Sequence, residues 1–338
     1  MKQTFMSQKS VTVLMKLNVE VFHEAFTDVI ALSNGIIDIR VLSYGATLIH
    51  FGFVNEPNCV VRYQDLDLYE SNPVYLGSVV GPTAGRIKDG HLCVDKKEYA
   101  LSINNHPNHL HGGYQSHAFK TFSYTIIEDG IRFELEDTPH DGYTLTFKTT
   151  VTYQLQDAQL IVTTSALPSE PFPVNITTHN YFNLDGSNSL ANHSLKVEAN
   201  EIYTVDASLA NDGVTLNVAH TAFDFRAWKS IEEALTQKHP EFKKTRFIDH
   251  DYRLDGKLYL KTQTRMLVCE TSLPVLRLYF ANYFDETFKQ EHGEDAHNFS
   301  ALAIEPQFPA NAINFGQGDI FSADTPYTSR SSYTLYRL

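Results

Sequence analysis

From Tyr143 onward the odd positions read Tyr143, Leu145, Phe147, Thr149, Val151, Tyr153 and Leu155, with mostly polar residues between them. A period of two sends alternate side chains to opposite faces of an extended chain, so one face packs on a core and the other meets water. The run is a strand, or two strands joined by a tight bend. Ile131, Phe133 and Leu135 repeat the pattern just before it, and Leu160, Val162, Thr164 and Ala166 just after. Near the C-terminus, Leu276, Leu278 and Phe280 alternate with Val275, Arg277 and Tyr279, which suggests a strand covered on both faces. Asn34-Gly35, Asp89-Gly90, Asp129-Gly130, Asp141-Gly142, Asp185-Gly186, Asp212-Gly213 and Asp255-Gly256 are turn signals along the whole length. The best helix candidate runs over Ser230–His239, where Ile231, Ala234 and Leu235 share a face and Ser230 or Asp224 is the candidate start. Many short strands and little helix indicate an all-β fold, a large antiparallel β-sandwich with few short helices. With no repeat, linker or shift in composition, residues 1–338 are expected to form a single domain.

Hydrophobic residues make up 42% of the chain and charged residues 20%, enough apolar material for a sizeable core. The formal net charge of -13 repels phosphate backbones and anionic lipid, and no Lys/Arg cluster offsets it. Neither nucleic acid nor a membrane surface is expected as a partner, whereas a neutral sugar is indifferent to this field. Cys59, Cys93 and Cys269 lie far apart and outside any C-x-x-C pair, so neither a disulfide framework nor a zinc knuckle is expected. The first twenty residues lack a long apolar core and a small-residue cleavage site, and no apolar span of ~20 residues follows. The expectation is a cytoplasmic protein without a membrane segment, a monomer or homodimer.

Four segments depart from plain strand grammar. In Gly81-Pro-Thr-Ala-Gly85-Arg86-Ile87, small residues let the backbone approach a ligand, and Arg86 offers a rigid fork of donors. Read alone, Arg86 is better explained as a surface arginine after a turn. In 104–113 the histidines at 106, 109 and 111 invite a metal reading, but they lack i, i+4 spacing and a nearby carboxylate. A tight loop presenting His111 and Asn108 as hydrogen-bonding groups is the better account. In 173–184, alternation sends Asn175, Thr177 and His179 to one face, like the polar floor of a cleft, with Tyr181 and Phe182 as apolar surface for a sugar ring. Histidine suits proton donation near neutral pH, although a core histidine satisfied by its neighbours remains the plainer alternative. In 302–311, Glu305 ends an apolar stretch before a proline, at an expected strand end, where a buried carboxylate is costly unless used or paired. That placement raises a carboxyl pKa toward the range of a general base. A weaker fifth segment, 247–252, offers Asp249 as an acceptor for hydroxyl groups, or as a solvated loop residue.

Taken in order, these segments resemble the aldose 1-epimerases (galactose mutarotases), from Asn34-Gly35 and Gly45-Ala-Thr-Leu48 to Glu305 and Asn311. The specific parts are Asn-His-Leu-His-Gly-Gly at 108–113 and His-x-Tyr-Phe-Asn-Leu at 179–184. The resemblance implies a galactose mutarotase-like supersandwich and a cofactor-free, metal-free exchange of the α and β anomers of a free aldose. It implies that His179 protonates the ring oxygen and Glu305 takes the proton of the C1 hydroxyl, while Arg86, His111 and Asp249 hold the ring. Thr178, Asn180, Pro309, Asn311 and Phe122 depart from the family pattern and leave the preferred sugar open. A non-catalytic sugar sensor, a maltose or hexose 6-phosphate epimerase, and, less well, a glycoside hydrolase are the rival readings, the last lacking a second catalytic carboxylate.

Overall fold

The alternating residues close onto one another as antiparallel neighbours. The structure, a computed structural model, describes residues 17–285 and 287–338, and most of the N-terminal stretch considered for a leader lies outside them. The strands Ser123–Ile127, Gly130–Asp137, Phe147–Gln156 and Gln159–Pro168 follow one another as hairpins in a 13-stranded sheet. All seven odd residues from Tyr143 to Leu155 are buried. Tyr143 and Leu145 pack from the bend that precedes the Phe147–Gln156 strand. The sheet continues through the C-terminal strand Tyr327–Arg337 to Arg265–Thr271, Asp249–Lys261, Val275–Tyr279, Leu302–Gln307 and Tyr181–Phe182. Every ladder between strands of the described residues is antiparallel. A second sheet of four strands, Asn18–Glu24, Thr27–Ser33, Ile37–Leu42 and Leu48–Phe53, contributes Ile30, Ile39, Val41 and Phe51 to the same apolar core as Phe133, Val151 and Tyr153 of the large sheet.

Two of the expected turns lie inside strands. Asp212-Gly213 falls within Asn211–Asn217. Asp255-Gly256 falls within Asp249–Lys261, at a bulge where the pairing with Ser194–Val205 shifts register. There a Cβ on residue 256 would lie 3.1 Å from the Glu198 Cβ, so the glycine marks a close approach rather than a chain reversal. The helix candidate shortens to Ile231–Leu235, and Ser230 caps it by accepting from the Glu233 N–H. Asp224 takes no part in that cap; its carboxylate holds Arg226 instead.

One stretch of the sheet explains where chemistry can sit. Asp251 lies opposite Arg277, and Arg277 opposite Glu305, so the three form a row across adjacent strands. Directly opposed residues of an antiparallel pair project to the same face. Their alternates Tyr252, Leu276, Leu278, Leu302, Ile304 and Phe182 turn to the other face and join the core. Pro306 does not end its strand, which runs to Gln307. Ile304 N–H donates to the Asn180 carbonyl, and the pairing with Tyr181–Phe182 covers only Ala303 and Leu302. The next N–H on that side, at residue 306, would thus fall beyond the neighbouring strand, where a proline costs no ladder bond.

Phe133 is fully buried between the sheets, and Val214 is 57% exposed. Phe133→Ala should lower unfolding free energy in urea by about 3–5 kcal/mol. Val214→Ala should change it by no more than about 0.5 kcal/mol.

Candidate active site

Two loops meet above the polar row. The short strand Arg86–Ile87 pairs with His109–Leu110, which sets the Gly81–Arg86 loop beside the loop carrying His111. Their junction is tight. Gly85 has φ +76°, and a Cβ there would lie 2.4 Å from the Cβ of Ala310, so only glycine lets the Glu305 strand's following loop pack against it. The Gly85 N–H donates to His111 Nδ1 at 3.1 Å, and His111 N–H returns a bond to the Gly85 carbonyl.

His111, His179 and Glu305 converge, all buried, with one nitrogen or oxygen of each within 4.8 Å of the others. His179 Nε2 lies 3.4 Å from Glu305 Oε1. Glu305 Oε2 and His179 Nδ1 are buried without a hydrogen-bond partner in the protein. Burial pushes the Glu305 carboxyl up to about 8, against the pull of Arg277 and with the push of Asp249 and Asp251. Burial lowers His179 to about 3. The contact is therefore a protonated carboxyl against a neutral imidazole rather than an ion pair. His111 is also held well below its ordinary value by burial, with His179 and Arg86 adding to the effect.

Asp249 sits at the edge of this group as an ion-paired carboxylate. Arg277 approaches its Oδ1 at 2.7 Å and Arg86 its Oδ2 at 3.6 Å. Burial would raise the Asp249 carboxyl, but the guanidiniums of Arg277 and Arg86 outweigh it and hold the group below the usual range. Arg86 keeps 14% of its side chain exposed and donates through Nε to Asn105 Oδ1 at 3.1 Å. Tyr75 walls the site, with ring centroids 4.8 Å from His111 and 6.3 Å from His179.

Five of the six candidate residues thus come together: Arg86, His111, His179, Asp249 and Glu305. Asn108 is placed elsewhere. Its fully buried amide accepts from Asp89 N–H and donates to the Ser208 carbonyl at 2.7 Å, so it ties two loops and has nothing free for a ligand. Phe182 packs in the core against Tyr333, and Tyr181 backs the His179 ring from 4.9 Å, so neither offers the expected surface to a sugar. Of the expected polar floor only Thr177–Thr178 is strand, and the Asn175 amide is spent on the Ala84 and Phe308 carbonyls. The departing positions Thr178 and Asn180 hydrogen-bond to each other, and Asn311 ties Lys88 N–H to the Asn211 carbonyl. Arg277, Asp251 and Tyr75 were missed. A lone arginine inside a strand covered on both faces was the available signal for Arg277, because a buried cation requires a partner.

The three histidines of 104–113 do not converge. His106 is exposed, and His109 donates through Nδ1 to the Ser102 carbonyl and accepts from Tyr143 O–H through Nε2. The different set His111, His179 and Glu305 has donor types found around catalytic zinc. The tautomer argues against that use. His111 Nδ1 accepts the Gly85 N–H, so the neutral ring carries its hydrogen on Nε2, which offers the cleft a donor and no lone pair.

The family model for aldose 1-epimerase matches residues 28–334. Galactose mutarotase of Homo sapiens is 30% identical over 298 residues, spanning 84% of this chain and 86% of that protein. Aldose 1-epimerase of Escherichia coli (strain K12) is 29% identical over 324 residues, spanning 88% and 91%. The solved GalM/aldose epimerase homologue from C. elegans superposes with a TM-score of 0.83 at 29% identity, over 90% of this chain and 97% of that one.

Nitrogen NMR of the imidazoles at neutral pH should show His111 with hydrogen on Nε2, unchanged by a chelator. A His111 signal with hydrogen on Nδ1 would contradict the bond from Gly85.

Proposed function

The chain belongs to the aldose 1-epimerase family and is an isomerase that interconverts the anomers of an aldose; from this premise we propose that His179 and Glu305 are its acid and base. The observation that carries the assignment is the 3.4 Å contact between two buried groups that together hold one proton at neutral pH. The ring oxygen and the anomeric hydroxyl share one carbon, C1, so the groups serving them must be close neighbours. In the opening step Glu305 carboxylate takes the hydroxyl proton and His179 imidazolium gives one to the ring oxygen. The C1–O bond of the ring breaks and C1 becomes an aldehyde. Rotation about C1–C2 and the reverse transfers close the ring on the other face, with no net change in protons. The shared proton rests on Glu305, and sugar binding has to move it to His179 before the ring form opens.

Arg86, Asp249 and the Nε2–H of His111 are the groups we assign to holding the sugar hydroxyls. Arg86 and Arg277 both face carboxylates already, which favours a neutral galactose- or glucose-type aldose over a hexose 6-phosphate. All six of these side chains belong to one chain, which is consistent with a monomer or a homodimer of independent sites. We read the chain as a single domain, because its large sheet interleaves strands from residue 123 to residue 337. No helix among the described residues is long and apolar enough to cross a membrane, and Cys59, Cys93 and Cys269 are free thiols. The reduced cysteines support a cytoplasmic location.

Polarimetry of freshly dissolved α-D-galactose, α-D-glucose, maltose and glucose 6-phosphate tests the reading. Galactose or glucose should be the best substrate, and Glu305→Gln should lose roughly 10²–10⁴-fold in kcat. Turnover near the original rate in Glu305→Gln would remove the base assignment. The raised Glu305 pKa also dictates a pH limb. Below about 8 the pair holds its proton; above about 8 it loses it and no acid remains, so kcat/KM should fall as pH rises through that value.

A further inference from the structure

Arg277 is neither the acid nor the base of the proposed pair, yet its guanidinium is held from several directions. One guanidinium nitrogen meets Asp251 Oδ1 at 3.0 Å. The other meets Asp249 Oδ1 at 2.7 Å and the Asp249 carbonyl at 3.2 Å. Across the ladder it stands directly opposite Glu305. Opposed residues in such a ladder have Cβ atoms about 4.5–5.5 Å apart, so a permanent positive charge is held beside the carboxyl and cannot swing away.

The groups facing Glu305 from the surrounding elements differ in kind. His179 and His111 are neutral, and Tyr181 lies behind from the adjoining strand. Arg86 is the second cation, reaching Asp249 from its own short strand. Asp249 and Asp251, on the far side of Arg277, oppose ionisation of Glu305, while Arg277 favours it. Without the guanidinium, three carboxyl groups would share one face of the sheet with Arg86 alone to offset them.

We propose that Arg277 is a positioning residue that acts through Glu305: pinned between Asp249 and Asp251, its fixed charge keeps the Glu305 carboxyl able to release and recover a proton, with Asp251 as the opposing charge. This rests on the reading of Glu305 as the base. Arg277 makes the base usable and reaches the sugar only through Asp249, so its loss falls on kcat more than on KM.

The experiment compares Arg277→Gln, Arg277→Lys and Asp251→Asn in the full chain. Infrared spectroscopy reads the protonated carboxyl band that Glu305→Gln abolishes, followed across pH, alongside kcat and KM. Arg277→Gln should move the band's midpoint upward by about one to three pH units, with kcat falling more than KM rises. Arg277→Lys, which keeps the charge, should stay closer to the unaltered protein than Arg277→Gln does. Asp251→Asn should move the midpoint downward, and it carries the test if Arg277→Gln does not fold. A midpoint unmoved in folded Arg277→Gln, or unmoved or raised in Asp251→Asn, overturns the role of Arg277 while an inactive Glu305→Gln leaves the base in place. Full turnover by Glu305→Gln removes the base itself, and the catalytic role of Arg277 with it, whatever the midpoints do.

Discussion

The buried ion cluster of Arg277 with Asp249 and Asp251 is the constraint on which the site depends. Two carboxylates and a guanidinium taken from water in the middle of a sheet are tolerable only if their remaining hydrogen-bonding capacity is met. It is met here by distant parts of the chain. Asp251 accepts from Gln307 of the Glu305 strand, from Ala310 N–H and from Asn211, while Asp249 also faces Arg86. The charges thereby join neighbouring strands to the loop carrying Arg86 and to the loop that follows the Glu305 strand. Breaking such a pair on one side typically costs about 3–5 kcal/mol, more than a mean side-chain contact, because the other charge is left buried alone. What holds the sheet together at this point also places the cleft.

Within that frame, burial does the chemical work by acting in opposite directions on two neighbours. The same dry surroundings disfavour the charged form of each, lifting the Glu305 carboxyl to about 8 and lowering the His179 imidazole to about 3. Two groups that would form an ion pair at the surface become a neutral pair sharing one proton. The Tyr181 ring, 4.9 Å from the His179 ring, and the Tyr75 ring, 6.3 Å from it, contribute apolar surface to this environment. His111 is neutral for the same reason and is oriented by a single backbone N–H, which makes it a donor to oxygen. The site is thus uncharged at the His179–Glu305 pair, with the ionised Arg86, Asp249 and Arg277 beside it.

Much of the architecture was legible because a period of two is a local property. Tyr143 to Leu155, Ile131 and Phe133, and Leu160 to Ala166 all bury the residues their alternation assigns to a core. Asx-Gly was less reliable. Asp129-Gly130 does join two strands, but Gly213 and Gly256 sit inside strands, since the same freedom that suits a turn also suits a close approach by another segment. Asn108 and Phe182 were misjudged for a related reason. Both lie beside residues of the cleft in sequence, but one amide is claimed by Ser208, a hundred residues away, and a strand sends Phe182 to the face opposite Tyr181.

By itself, then, the sequence determined the class of fold, through strand periodicity, and the residue types available for acid–base work, through His179, Glu305, Arg86, His111 and Asp249 standing out from that periodicity. Tertiary structure alone decided which of them meet and in which protonation state. Proximity across the ladder made Arg277 the partner of Asp249, Asp251 and Glu305, and register between strands roughly 25 residues apart cannot be read from alternation within either. Burial decided the rest, because a pKa depends on what surrounds a group in space, and the surroundings of Glu305 come from every quarter of the chain.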